Sequence, residues 1–148
     1  MKTDMEQNNE QNIEAKCKHL EFIQGVINRM GQNSFLLKGW TITLVSALFA
    51  LAAKDSEINF VLISIIVIPV FWVLDGFFIA TEKRYRELYK DVAAIKDDKE
   101  IDFNMDASTY TNITWIDGFK SKTLIPFYGV SIITIVIVVL LMKSNCNC

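Results

Sequence analysis

Three apolar stretches, residues 35–53, 58–80 and 124–142, dominate this chain. A bilayer core of about 30 Å takes about 20 mostly apolar helical residues to cross, and each stretch is of that order. Lipid leaves no partner for a free backbone amide or carbonyl, so apolar segments of this length are read as helices. The expected fold is an all-α membrane protein with three transmembrane helices, an N-terminal cytoplasmic amphipathic helix, and a second span that extends into the cytoplasm. Most of the apolar content sits in these stretches, so little remains for a soluble core. The expected division is a disordered N-terminus at 1–12, a cytoplasmic amphipathic helix and turn at 13–34, and a transmembrane hairpin at 35–80. A cytoplasmic helix and loop at 81–122 follow, then a third transmembrane helix with a short outer tail at 123–148.

Charge sets the expected orientation. Cytoplasmic flanks carry excess Lys and Arg. Lys2, Lys16, Lys18 and Arg29 precede the first span, with Lys38 just inside it, and Lys83, Arg84, Arg86, Lys90, Lys96, Lys99, Lys120 and Lys122 lie between spans two and three. The other side has Lys54 and Lys143. The N-terminus and the long 81–122 segment are therefore expected in the cytoplasm, with the 54–57 turn and the C-terminal tail outside. Residues 1–12 are polar and acidic, unlike a signal peptide, so the first span is read as an uncleaved anchor. The net charge of −2 gives no reason to expect a nucleic-acid partner.

The residues needed for catalysis are not assembled in the sequence. His19 is the single histidine, and no Gly-rich phosphate loop follows a strand. Cys17, Cys146 and Cys148 lack zinc-site spacing and are read as incidental thiols. No enzyme activity, cofactor or metal is expected.

Residues 13, 17, 20, 23, 27 and 30 are apolar at gaps of three and four, one face of a helix. Leu20, Ile23, Ile27 and Met30 are its docking positions, against the chain's own cytoplasmic helix or against another copy, with the bilayer surface as the second choice. Gly31 is expected to interrupt, with Asn33 or Ser34 capping the next helix. In span one, Gly39, Thr43, Ser46, Ala50 and Ala53 form a seam of small residues, the kind that lets helix backbones approach in lipid. The seam is expected to pack on span two of the same chain. In the alternative it faces other copies, with Thr43 and Ser46 lining a polar path. Pro69 lies inside span two, where proline removes a backbone bond and kinks a helix. Beyond that span Tyr85, Leu88, Tyr89, Val92 and Ile95 keep helical spacing, and Glu82 is placed to pair with Arg86. Residues 113–119 suit an aromatic-anchored interfacial turn. Span three reads as a lipid-facing wall.

A turn at 54–57 permits only an antiparallel hairpin. Positions at equal depth then have numbers summing to about 112, which brings Lys38 level with Asp75 and Trp40 level with Trp72. Lys38 and Asp75 are the formal charges within the spans. A charge at mid-membrane costs about 2.5–3.5 kcal/mol on insertion scales, so an ion pair between them, flanked by the two Trp rings, is expected.

Leu37-Lys38-Gly39-Trp40-Thr41, Phe71-Trp72-Val73-Leu74-Asp75-Gly76 and Glu82-Lys83-Arg84-Tyr85-Arg86 lie in a block, residues 21–89, that resembles a group of small bacterial membrane proteins. The layout is similar to the two-helix membrane effectors of bacterial nucleotide-signalled antiviral systems, the SLATT group. The likeness is architectural, and the third span departs from it. It implies an oligomeric inner-membrane effector, pore-forming or depolarising, that answers to a cytoplasmic signal or partner. The alternative is a non-conducting anchor or platform that recruits a cytoplasmic protein. The lipid bilayer and further copies of the chain are the partners expected in both cases.

Overall fold

The computed structural model describes residues 2–55, 58–96 and 101–145. Four α-helices run in order: α1 (Lys2–Asp55), α2 (Ile58–Ala94), α3 (Trp115–Phe119) and α4 (Leu124–Asn145), with a short 3-10 turn at Ala107–Thr109 before α3. Three of them are long and apolar enough to cross a membrane, over Glu10–Lys54, Asn59–Ala94 and Leu124–Met142. The chain thus has the form of a multi-pass membrane protein. α2 is the hub, with α1, α3 and α4 all packing on it.

Two expectations at the N-terminal end are corrected. The backbone is helical from Lys2, so 1–12 is not a structureless lead apart from Met1, which lies outside the described residues. Met, Glu, Gln and Lys favour helix, and a segment that extends an existing helix avoids the cost of nucleation. Gly31 does not interrupt either, and Asn33 and Ser34 lie inside α1 rather than capping a new helix. One interior glycine costs about 1 kcal/mol. Docking on both sides of it opposes that cost, because Ile27 and Ser34 are both buried. The amphipathic helix and the first span are one rod.

α1 uses a single face along its length. Ile23, Ile27, Ser34, Thr41 and Ala52 are buried, and Lys38, Val45 and Phe49 between them are half-buried. The expectation that the small-residue seam packs on α2 is therefore wrong: Gly39, Thr43, Ser46, Ala50 and Ala53 are all exposed. Thr43 follows Thr41 by two residues, about 200° around the helix, so the two point nearly opposite ways. Burying the face that carries Lys38 against Asp75 turns the seam outward.

Two apolar clusters hold the fold. Outside the apolar stretches 35–53 and 58–80, Ile23 and Ile27 pack with Val92, joined by Leu20, Tyr85, Leu88, Tyr89 and Met105. The docking helix thus lies on the continuation of α2 within the same chain. Within the spans Ala52, Val61, Ile68, Leu124, Tyr128 and Ile135 form the second cluster. This refines the reading of the third span: one edge of α4 is core, while Val130, Ile133, Val136, Ile137, Leu140 and Leu141 face outward. Pro69 sits inside α2, which continues through it. The ring leaves the carbonyl four residues back, at Ile65, without its usual donor.

The expected interfacial turn is the helix α3, started by a capping box. Thr114 N–H and hydroxyl donate to Asp117 Oδ2 at 2.8 and 2.7 Å. α3 presses closely on α2. A side chain on Gly118 would land on the Gly76 carbonyl oxygen, and one on Gly76 would come within 3.1 Å of the Phe119 backbone. Only two facing glycines permit this approach. Within the hairpin turn, Ser56 and Glu57 lie outside the described residues, as do Cys146 and Cys148.

Candidate functional site

The intramembrane constellation is a cluster drawn from all four helices. Lys38 Nζ on α1 donates to Asp75 Oδ2 on α2 at 2.6 Å. The same ammonium donates to Ser34 Oγ at 2.8 Å and to the Ser34 carbonyl at 3.3 Å, one turn back on α1. Tyr128 on α4 donates its phenol to Asp75 Oδ2 at 3.2 Å. Thr41 lies beside that phenol and donates its own hydroxyl to the Leu37 carbonyl. The Asp75 side chain is 0% exposed and that of Lys38 is 19% exposed. A short carboxylate cannot reach the interface, whereas a lysine stem can. The pair therefore meets at the depth fixed by Asp75. Asp75 Oδ1 is buried and has no hydrogen-bond partner among the described residues.

The aromatic flank is half as expected. Trp72 stacks on Phe119 of α3, with centroids 4.2 Å apart, and on Tyr128 of α4 at 5.5 Å. Its indole N–H donates to the Phe119 carbonyl at 3.2 Å. Trp40 does not join it and is 59% exposed. Trp40 shares the depth of the cluster but lies two residues on from Lys38, so it faces away. Sequence reasoning missed Ser34, Gly118, Phe119 and Tyr128. A depth signal for Tyr128 was present: it lies four residues into its span, Lys38 three into span one, and Asp75 five from the end of span two.

A second polar layer stands outside the apolar stretches 35–53, 58–80 and 124–142. Arg84 donates to the Ile113 carbonyl at 2.8 Å and Lys83 to the Asp117 carbonyl at 2.7 Å, tying α2 to the segment around α3. Glu82 and Arg86 pair as expected, at 2.6 Å. Lys16 donates to the Ile95 carbonyl at 2.6 Å. Tyr110 donates to Asp91 at 2.6 Å. Partial burial, and then that bond, push the Tyr110 phenol up to about 12. The Thr114 hydroxyl and amide hold Asp117 below the usual carboxylate range. His19 is buried, edge-on to Phe103 with ring centroids 5.5 Å apart. Cys17 is exposed.

The arrangement is a helix-to-helix junction. It joins α1 and α4 to α2 through one carboxylate. Among the described residues no group of three or more His, Cys, Asp or Glu side chains could hold a metal ion. No family model matches this chain, and neither curated proteins nor solved structures yield a match.

Proposed function

We propose that the chain is an oligomeric effector of the bacterial inner membrane. In this reading copies associate through the outward face of α1, and a cytoplasmic signal or partner acts on the lobe formed by α1 and the end of α2. Rearrangement of the copies then depolarises the membrane, as in antiphage defence. The single observation that supports it most is that the small-residue seam is unpartnered. The outward face also continues beyond the seam: Phe22, Gly25, Arg29, Gln32, Leu36, Gly39, Thr43, Ser46, Ala50 and Ala53 follow one another at gaps of three and four, and every one is exposed. Gaps of three and four place these residues on one face of the helix. The distribution of Lys and Arg supports placing the N-terminus and the 81–122 segment in the cytoplasm and the C-terminus outside.

A specific observation favours the platform reading, in which the assembly conducts nothing. The Thr43 hydroxyl donates to its own helix at the Gly39 carbonyl, 3.0 Å away, and Thr134 does the same at Val130, 2.9 Å away. Hydroxyls satisfied in this way need no water path. Gly39→Leu with Ala50→Leu tests association, read as the cross-linked species in native membranes. Membrane potential during induced expression, alone and with genomic neighbours, separates the two readings. Loss of cross-linking together with loss of depolarisation supports the effector. Cross-linked copies that never depolarise under any activating condition leave the platform.

A further inference from the structure

We propose that Asp75 is a proton-binding site, and that α1 separates from α2 with the uptake of one proton on Asp75 Oδ1. The geometry of the carboxylate carries this. Both donors, Lys38 and Tyr128, converge on Oδ2, while Oδ1 is buried and unpartnered among the described residues. Among the described residues these two are the titratable groups that donate to Asp75, one from α1 and one from α4. α3 presents the Gly118 backbone and Phe119 to this stretch of α2.

Lys38 has a second place to go. Ser34 already accepts from its ammonium through both Oγ and the carbonyl, and the Lys38 side chain is partly exposed. Asp75 has none, since its side chain is wholly buried. Moving Lys38 away would leave an ionised carboxylate uncompensated in apolar surroundings, an arrangement such sites avoid. A proton from water forms the O–H bond at Oδ1 and removes that charge. The site then passes from zero to one net positive charge, which Lys38 carries at the interface. Oδ2 remains an acceptor for Tyr128, so α4 stays fastened while α1 is freed. The separated form holds one proton more than the fastened form, and acid therefore favours it. This inference is independent of the effector reading, because it concerns helix separation and not permeability.

The test uses the full chain in liposomes, with Cys17, Cys146 and Cys148 replaced by Ser and spin labels at Leu44→Cys and Val70→Cys. Leu44 and Val70 are exposed positions of α1 and α2, 39% and 51% respectively. Dilution with unlabelled protein keeps the measured distance within one chain. On stepwise acidification a longer distance is expected to grow in, its ratio to the short one changing about tenfold per pH unit where one proton is taken up. Asp75→Asn is expected to show one distribution at every pH, and Tyr128→Phe to keep the response. If Asp75→Asn fails to insert, the double variant Lys38→Met/Asp75→Leu supplies the pH-blind reference. A distance that ignores pH in the otherwise unsubstituted chain overturns the proposal. So does an unchanged pH response in Asp75→Asn or in the double variant.

Discussion

Gly118→Ala is a single methyl placed where α3 meets α2. The new Cβ would fall on the Gly76 carbonyl oxygen, 2.8 Å from the Ala80 amide nitrogen and 3.0 Å from the Ala80 Cβ. Backbone cannot swing aside as a flexible side chain would, so α3 has to lift. Overpacking of this kind costs about 1–3 kcal/mol. Lifting α3 also stretches the 3.2 Å bond from Trp72 to the Phe119 carbonyl and opens the 4.2 Å Trp72–Phe119 stack. A hydrogen bond contributes about 1 kcal/mol and an aromatic pair about 0.5–1.5 kcal/mol. These losses overlap, and the expected sum is about 2–4 kcal/mol. Two other glycines calibrate it. Gly76→Ala meets Phe119 backbone at 3.1 Å and should cost less, while Gly129→Ala meets nothing within 4 Å. Gly129 lies inside a helix, so alanine there should be neutral or stabilising by up to about 1 kcal/mol. The assay is reversible unfolding in mixed detergent micelles followed by tryptophan emission, with the three variants in parallel. If Gly118→Ala falls within about 0.5 kcal/mol of Gly129→Ala, the close approach of α3 and α2 is refuted.

The remaining predictions use the same assay unless stated. Lys38→Met leaves a buried carboxylate without its counter-charge and should cost about 3–5 kcal/mol, whereas Lys38→Met/Asp75→Leu should cost clearly less; equal losses would argue against the pair. Ile23→Ala and Ile27→Ala each delete a buried side chain and should cost about 2–5 kcal/mol, with faster amide exchange along α2 near Val92 as the local sign. Trp40→Ala should leave the Lys38–Asp75 pair intact and change stability by under about 0.5 kcal/mol, because Trp40 is turned away from the cluster. Tyr110 has its proton held more tightly when folded than unfolded, so its contribution is complete below about pH 10 and fades as pH rises toward about 12. Its bond to Asp91 is exposed, which limits the effect to about 1 kcal/mol or less. Tyr110→Phe should abolish that alkaline loss, measured as unfolding stability against pH in the two proteins.

Depth was legible in the sequence, and direction was not. A hairpin with a short turn fixes which residues of two spans share a height, and Lys38 and Asp75 meet as that arithmetic requires. It says nothing of azimuth, and Trp40, at the same height as Trp72, points the other way. The seam went wrong for the same reason. Small residues at helical spacing mark a packing face without saying whose helix it receives, and the demand of Asp75 for a counter-ion chose the opposite face for α2. The docking helix was legible because Ile23 and Ile27 keep the same period as Tyr85, Leu88 and Val92, so both stripes announce themselves. Gly31 misled because a local preference of about 1 kcal/mol is small beside packing on both sides of it. Gly118 left no readable signal, and the aromatic run at 113–119 did not say where α3 lands on α2.

The uninterrupted course of α1 has a mechanical meaning. At 1.5 Å per residue its 54 residues make a rod of roughly 80 Å. Without a break at Gly31 there is no joint at which one half could turn while the other stays still. A tilt of about 5° about one end would sweep the far end through roughly 7 Å, on the scale of a whole helical turn. In a helix of that length a small angular change at one end is returned as a large linear displacement at the other.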